Sequence, residues 1–197
     1  MPIITIDGNI GSGKSTILNY LHKKYKLAID LEPIEKWKIF LENIYNNKTN
    51  FFNFQLRVWL DRSWIQEKED KILILMERSP FFIKNTFIKS SYKNKYINES
   101  EYNILMELYN KTDNIWNCNK FIYLQSDPEK CMKRIKMRGR ECEKNITLDY
   151  ITELSKLHDD NYKTGIDDNK DILLINIENK DIDEICEIIL NYITSNE

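Results

Sequence analysis

The sequence predicts an α/β fold in which helices cover both faces of a five-stranded parallel sheet, forming a three-layer sandwich. Three observations lead to this fold class. Five short apolar runs alternate with segments of helical periodicity along the 197 residues, which is the pattern of consecutive β-α-β units. The run KILILME at 71–77 is apolar almost throughout, as a strand needs when both faces of its sheet are covered. The first run leads through a glycine-rich turn directly into a helical segment.

The elements of the first half follow from these runs and from the residues that end them. PIITID at 2–7 is apolar and β-rich, so it predicts a buried first strand, and a helix that begins near Lys14 follows it. KLAIDLEP at 26–33 predicts a second strand that ends at its proline, because proline lacks a backbone donor. Aromatic and aliphatic residues at helical spacing predict a helix over 51–69, before the third strand at 71–77.

The second half repeats this alternation. An apolar stripe predicts a helix over 99–117. KFIYLQSDPEK at 120–130 predicts a fourth strand that runs into a helix with proline in its first turn. A polar helix is predicted over 147–163, a fifth strand over 171–177 and a closing amphipathic helix over 181–194.

The composition is that of an ordinary globular protein. Hydrophobic residues make up 42% and charged residues 30% of the chain, and the formal net charge is −2, so no bulk attraction to nucleic acid or membrane is expected. No apolar run approaches the roughly 20 residues of a membrane span. Four cysteines without a C-x-x-C pair and two histidines argue for reduced thiols rather than a metal site. We expect one cytoplasmic domain over 1–197, without a signal peptide.

The segment GNIGSGKS at 8–15 fits the phosphate-binding pattern G-x-x-x-x-G-K-[ST]. Its glycines let successive backbone N–H groups converge on phosphate oxygens, and the helix that follows adds its positive end. Lys14 is expected to reach the β- and γ-phosphates, and the Ser15 hydroxyl to ligate Mg²⁺. The predicted nucleotide-binding residues are Gly8, Asn9, Ile10, Gly11, Ser12, Gly13, Lys14, Ser15 and Thr16.

A second motif suggests a different function, but its position in the sequence argues against that function. The letters NKTD at 110–113 spell the guanine-recognising motif of GTPases, but that motif belongs after a sheet strand. Here it falls within or at the end of an amphipathic helical segment, and no D-x-x-G follows the phosphate loop. A GTPase switch is therefore disfavoured.

Acidic residues stand at the ends of the second and third predicted strands. Ligands of open α/β sheets bind beyond the carboxyl ends of the strands, so Glu32 and Glu77 are site candidates. Beside a phosphate loop they suggest a base for an acceptor hydroxyl and an acid on the Mg²⁺ side. Arg78, next to Glu77, suits an anionic partner. The alternatives are solvated loop carboxylates and a structural Glu–Arg pair.

An arginine-dense segment, KRIKMRGRECEK, occupies 133–144. Such a charge run is commonly a solvated helix face. However, Arg134 and Arg138 share one helical face, and Gly139 loosens the backbone before Arg140. This arrangement suits a lid, at about 134–146, whose guanidinium groups close over a transferring phosphoryl group. Interleaved aromatic residues, which single-stranded RNA binding would need, are missing from it.

Taken together, these motifs resemble the deoxynucleoside kinase family, from about Ile4 to the last helix. The motifs that carry the resemblance are GNIGSGKST, EPIEKW, F-Q-x6-R, E-R-S-x7-F, YLQSDPE and RIKMRGR-x-x-E. The resemblance implies a P-loop kinase fold, usually in a homodimer. It also implies transfer of the γ-phosphate of Mg²⁺·ATP to the 5′-hydroxyl of a small-molecule deoxynucleoside, as in nucleotide salvage.

The resemblance also implies roles for individual residues. Glu32 matches the base that accepts the 5′-hydroxyl proton, Glu77 the Mg²⁺-side carboxylate and Arg78 the arginine beside the 5′-oxygen and the transferred phosphate. Arg134, Arg138 and Arg140 match the lid. The residues matched to nucleoside contacts are Gln55 for the base edge, Phe87 for stacking, Trp37 and Phe54 around the base, and Tyr45 and Glu143 for the 3′-hydroxyl. Without the resemblance, the aromatic residues would be assigned to the core.

The predicted base pocket mixes two types of family member. Members that accept purines or deoxycytidine pair an arginine, matched by Arg62, with an aspartate at the position of Ile83. Pyrimidine-preferring members have small or apolar residues at both positions. Here Val58 and Ile83 resemble the pyrimidine-preferring type, whereas Arg62 does not. A buried Arg62 without that aspartate should seek a base carbonyl, a water or another acid. The pattern favours thymidine and deoxycytidine weakly over purine nucleosides.

Two other functions stay open at this point. A nucleoside monophosphate kinase, such as a thymidylate kinase, shares the phosphate loop, sheet and lid, but it needs a cationic clamp for the phosphate of its acceptor. The placement of Glu32 and Glu143 argues against an anionic acceptor. A non-catalytic nucleotide switch would bind or hydrolyse ATP without any dependence on a nucleoside.

Overall fold

The computed structural model describes residues 3–63, 73–113 and 120–195. Its centre is a sheet of five parallel strands in the order β2-β3-β1-β4-β5. The strands are β1 (Ile3–Gly8), β2 (Ala28–Asp30), β3 (Ile74–Glu77), β4 (Lys120–Gln125) and β5 (Asp171–Asn176). Each predicted strand is present, although β2 is only three residues long. Because β1 lies between β3 and β4, the loop that follows it sits at the middle of the sheet edge.

Helices connect and cover the strands. They are α1 (Lys14–Tyr25), α2 (Ile34–Glu42), α3 (Phe51–Ser63), α4 (Pro80–Ile83), α5 (Lys89–Lys93), α6 (Glu99–Asp113), α7 (Pro128–Arg138), α8 (Leu148–Asp167) and α9 (Ile182–Thr194). Two π-helical segments, Asn43–Asn47 and Lys84–Ile88, continue α2 and α4, and a short 3-10 turn covers Glu141–Glu143.

The helices form layers on both faces of the sheet, which confirms the predicted sandwich. On one face, Ile4 and Ile6 of β1 pack with α1 and α9 in a continuous apolar cluster. Because side chains alternate along a strand, Thr5 and Asp7 point to the opposite face. There, α4 and α8 pack against β4 and β5, and a larger cluster joins α2, α3, α6, α7 and α8. The phosphate loop emerges between these layers.

Most helix predictions hold with shifted ends, and two helical segments were not predicted. The helix over 147–163 extends to Asp167, while the predictions at 64–69 and 114–117 lie outside the described residues. Segments 34–47 and 80–93 are helical although their sequences were interpreted only as motifs. The NKTD letters belong to α6, as expected for a chance match.

Within the described ranges, none of the helices combines the length and the apolar character that crossing a membrane requires. Three cysteines there, Cys131, Cys142 and Cys186, are buried free thiols.

Candidate active site

The phosphate loop takes a backbone path that requires glycine. Gly11 and Gly13 have φ values of 80° and 91°, in the left-handed region that other residues avoid. A Cβ on Gly11 would also lie 2.5 Å from the carbonyl oxygen of Cys131, so the loop packs directly on the first turns of α7. Gly13 caps α1, whose N-terminus therefore points into the cleft.

The predicted nucleotide-binding residues divide into two groups. Six of them line the cleft beyond the sheet edge: Ile10, Gly11, Gly13, Lys14, Ser15 and Thr16. Gly8, Asn9 and Ser12 are not among the residues that line it. The Asn9 side chain donates to the carbonyl of Ile151 at 2.8 Å, which ties the loop to α8 and gives Asn9 a supporting position.

Lys14 places a buried cation under the loop. Its Nζ donates to the carbonyl oxygens of Gly8 at 3.1 Å and Asn9 at 2.8 Å. Burial, and after it the charge of the nearby Arg78, lowers the pKa of Lys14 from 10.5 to about 8. The amine still carries its charge at neutral pH, as phosphate binding requires.

The two strand-end carboxylates meet beside the loop. The Ser15 hydroxyl donates to one oxygen of Glu77 at 2.8 Å, and the backbone N–H of Glu32 donates to the other at 3.3 Å. A hydroxyl and a carboxylate are the oxygen ligands that Mg²⁺ takes, usually one or two from the protein with phosphate oxygens completing the shell. The predicted pair of Ser15 and Glu77 therefore fits this ion chemically.

Arg78 connects the two halves of the cleft. Its Nε donates to Oε1 of Glu32 at 2.7 Å and its Nη1 to the Gly8 carbonyl at 2.9 Å. Its guanidinium carbon lies 4.5 Å from the centre of the Phe87 ring. Both members of the Arg78–Glu32 ion pair are largely buried, so the pair faces the cleft rather than solvent. One side chain thus contacts the acid, the phosphate loop and the aromatic slot.

The slot itself is a cleft of about 260 Å³ that runs from the phosphate loop between α2, α3 and the 80–93 segment. Trp37 and Phe54 pack edge to face, with centroids 5.7 Å apart. Val58 and Ile83 complete an apolar wall. Gln55 also lines it, and its buried Oε1 has no hydrogen-bond partner among the described residues. A flat ring with one polar edge suits this combination.

Both π-helical segments border the cleft. One carries Tyr45 and the other carries Phe87, and both side chains line the cavity. Such widened turns are frequent at functional sites because the extra residue re-aims the side chains around it. Burial raises the pKa of Tyr45 well above 10, so its hydroxyl stays neutral and can donate.

Two of the three predicted lid arginines contact one carboxylate. Arg138 donates to Oε2 of Glu143 at 2.6 Å and Arg140 to Oε1 at 3.2 Å, and all three line the cleft. Gly139, with φ 64°, ends α7 between the two arginines. Arg134 lies apart from them, donating to Ser126 Oγ at 2.9 Å and to the Gly11 carbonyl at 3.4 Å.

Arg62 is the predicted substrate residue that the structure does not bring into the cleft. Its buried guanidinium donates to Oδ2 of Asp30 at 2.7 Å and to the Leu31 carbonyl at 2.8 Å. The acid that pairs with Arg62 is therefore at the end of β2. This pair connects α3 to the strand that leads to Glu32. Asp61, the neighbouring acid, instead accepts from Trp37 and Arg57, as the 100° turn between helical neighbours requires.

The cleft includes residues that the sequence analysis missed. Tyr150 of α8 and Ser91 of α5 line it, and the Tyr150 ring lies 6.3 Å from that of Tyr45 in a T-shaped contact. Tyr150 lies in the first turn of α8, where its backbone N–H donates to the Thr147 side chain. The predicted start of this helix at 147 was the available signal for its position.

The sheet order, the phosphate loop and the acidic strand ends define a P-loop kinase. A family-wide sequence comparison matches residues 4–195 to the deoxynucleoside kinases, and the chain belongs to that family. It is an ATP-dependent nucleoside phosphotransferase.

Individual relatives agree with this assignment. The chain is 30% identical to the deoxyadenosine kinase of Dictyostelium discoideum over 158 residues, which cover 77% of this chain and 62% of that protein. It is 26% identical to human mitochondrial thymidine kinase 2 over 173 residues, covering 80% and 63%. A solved structure of deoxyadenosine kinase from M. mycoides, with dCMP and dCDP bound, superposes with a TM-score of 0.79 at 27% identity, covering 99% of this chain and 100% of that one.

Proposed function

We propose that this kinase transfers the γ-phosphate of ATP to the 5′-hydroxyl of a deoxyribonucleoside, with thymidine and deoxycytidine as its preferred acceptors. One observation carries the proposal. The Glu32 carboxylate, held by Arg78 at 2.7 Å, stands between the phosphate loop and the aromatic slot. A base that serves a neutral hydroxyl belongs at that point, between the donor phosphates and the acceptor ring.

In the proposed mechanism, Glu32 accepts the 5′-hydroxyl proton while the 5′-oxygen attacks the γ-phosphorus in line. The bond from phosphorus to the β-γ bridging oxygen breaks, and ADP leaves. Lys14 and the N-terminus of α1 bind the donor phosphates, and Arg78 holds Glu32 and the transferred phosphoryl group in place. Ser15 and Glu77 would hold Mg²⁺, which neutralises phosphate charge when bound.

The lid and the sugar contacts share Glu143. Tyr45 and Glu143 are proposed to bind the 3′-hydroxyl, and Arg138 and Arg140 to stabilise the transferred phosphoryl group. Because both arginines contact Glu143, binding of the sugar and placement of the lid are coupled through this carboxylate. Arg134, on the outer side of the phosphate loop, is proposed to act on the donor.

The base preference is argued from the walls of the slot. Gln55 offers an amide to a base edge, and the neighbouring lining residues Val58 and Ile83 carry no charge. Arg62 adds no charge there because Asp30 engages it. A pyrimidine ring with one amide-facing edge suits these surroundings better than a purine that carries further polar atoms.

The proposal is tested by coupled ADP release with ATP and Mg²⁺, in the presence of each of the four deoxynucleosides and, separately, each monophosphate. We expect release that depends on thymidine or deoxycytidine. The change Glu32→Gln should lower kcat by at least about a hundredfold and leave ATP binding within about twofold. Release that depends on a monophosphate would instead support the rival kinase, and nucleoside-independent release a switch.

The homodimer is proposed from the surface of α3 and α6. These helices pack against each other, and Leu60 and Ile104 on them are about half exposed, at 51% and 48%. Light scattering on a sizing column should give about twice the chain mass of 23.7 kDa, and Leu60→Glu with Ile104→Glu should reduce it to one chain. The single domain over 1–197 and the cytoplasmic location stay predictions.

A further inference from the structure

The turn that carries Arg78 is strained. Arg78 has a φ of 66°, in the left-handed region that costs an ordinary side chain of order 1 kcal/mol or more. Strain of this kind persists only where the surrounding structure imposes it. The conformation aims the Arg78 side chain back across the sheet edge, where it reaches Glu32, Gly8 and Phe87.

Two hydrogen bonds to β1 hold the backbone at Arg78 and at the residue after it. The backbone N–H of Arg78 donates to the Ile6 carbonyl at 3.0 Å, which is an ordinary sheet contact. The next N–H, that of Ser79, donates to Oδ1 of Asp7 at 2.8 Å. Oδ2 of Asp7 in turn accepts from the Thr5 hydroxyl at 2.9 Å, so both carboxylate oxygens have donors. Asp7, Thr5 and Ser79 are fully buried.

The Asp7 carboxylate has no ion-pair partner among the described residues. Burial raises its pKa from 3.8 to about 6, against the opposing effect of the Ser79 and Thr5 hydrogen bonds and of Arg78. The group is therefore ionised at neutral pH in a place that disfavours charge. Its charge strengthens the bond from Ser79, which is the contact next to the strained residue.

We propose that Asp7 is a positioning residue for phosphoryl transfer. By holding the Ser79 N–H, it keeps Arg78 in the left-handed conformation from which the guanidinium contacts Glu32 and Gly8. The inference rests on the proposed roles of Glu32 and Arg78. Asp7 itself lies behind the phosphate loop and reaches the reaction only through Arg78.

The test is a double-mutant cycle. Asp7→Ala and Asp7→Asn are made in the wild type and in Arg78→Ala, and transfer of labelled phosphate from ATP to thymidine or deoxycytidine is measured at saturation. In the wild type, Asp7→Ala should lower kcat at least about tenfold while both KM values change less than about threefold. Asp7→Asn should recover part of this loss, because its amide oxygen can still accept from Ser79. In Arg78→Ala, Asp7→Ala should change kcat less than about twofold.

Two further variants keep the test decisive. Thr5→Val, of similar shape, removes the donor that orients Asp7, and it should give a smaller loss that also disappears in Arg78→Ala. The matched control is Asp159→Asn. The Asp159 carboxylate accepts from Tyr123 and Gln125 at 2.8 Å each, and the kcat of this variant should equal that of the wild type.

Equal losses in both backgrounds, for Asp7→Ala or for Thr5→Val, would overturn the inference, because they indicate a general structural role. A wild-type kcat in Asp7→Ala would overturn it as well. No nucleoside-dependent transfer by the wild type would refute the proposed function and this inference together. An active wild type with additive losses refutes this inference alone.

Discussion

Asp7 should lower the stability of the folded chain at neutral pH, and the size of the effect follows from its burial. The carboxyl has a pKa of 3.8 when solvated and about 6 when folded. A difference of about 2 pKa units corresponds to about 3 kcal/mol between the two protonation states. The folded state binds this proton more tightly than the unfolded state. Losing the proton therefore lowers the free energy of unfolding.

The stability contribution of Asp7 therefore depends on pH in one window. Below pH 3.8 both states are protonated, and the group imposes no penalty. As the pH rises from 3.8 to 6, the unfolded state loses its proton first, so folding stability decreases. Above pH 7 the loss is complete and constant, at about 3 kcal/mol.

The pH dependence of this contribution can be measured by urea unfolding of the wild type and Asp7→Asn between pH 4 and pH 8, followed by far-ultraviolet circular dichroism. The variant keeps the shape and an acceptor for Ser79 but cannot ionise. Its stability relative to the wild type should increase by about 3 kcal/mol across the window and then stay level. Parallel pH profiles for the two proteins would refute the argument. A gain in stability together with a lower kcat would show that the charge is kept for activity.

Three further changes test other parts of the site. Asp30→Asn should lower the unfolding free energy in urea by about 1–3 kcal/mol, because it leaves the buried Arg62 without its acid, although Asp30 is itself 38% exposed. Gly11→Ala should weaken ATP binding at least about tenfold in calorimetry, since its Cβ would meet the Cys131 carbonyl at 2.5 Å in a loop that needs a positive φ. Tyr150→Ala should raise the nucleoside KM several-fold in steady-state kinetics, whereas Tyr150→Phe keeps the ring and should change it little.

The donor half of the site could be predicted from the sequence because its determinants are local. A phosphate loop is built from consecutive residues, and its strand and helix adjoin it, so the pattern at 8–15 implies its own geometry. The strands of a buried parallel sheet are equally visible as apolar runs. The helices at 34–47 and 80–93 were harder to predict, since each contains a π-helical turn that interrupts helical spacing.

The acceptor half of the site depends on contacts between segments that are distant in the sequence. These contacts determine where each side chain lies and what it binds. The spacing of Arg62 from Gln55 places both residues on one helix, but the acid that engages Arg62 lies 32 positions earlier, at the end of β2. Likewise, the sequence shows an arginine after Glu77 but does not reveal its left-handed backbone conformation. That conformation depends on Asp7, which accepts from Ser79 across 72 positions of sequence. In both cases an acid near the end of a strand holds an arginine, directly or through the neighbouring backbone. The positions of Arg62 and Arg78 therefore depend on Asp30 and Asp7, two carboxylates that lie far from them in the sequence.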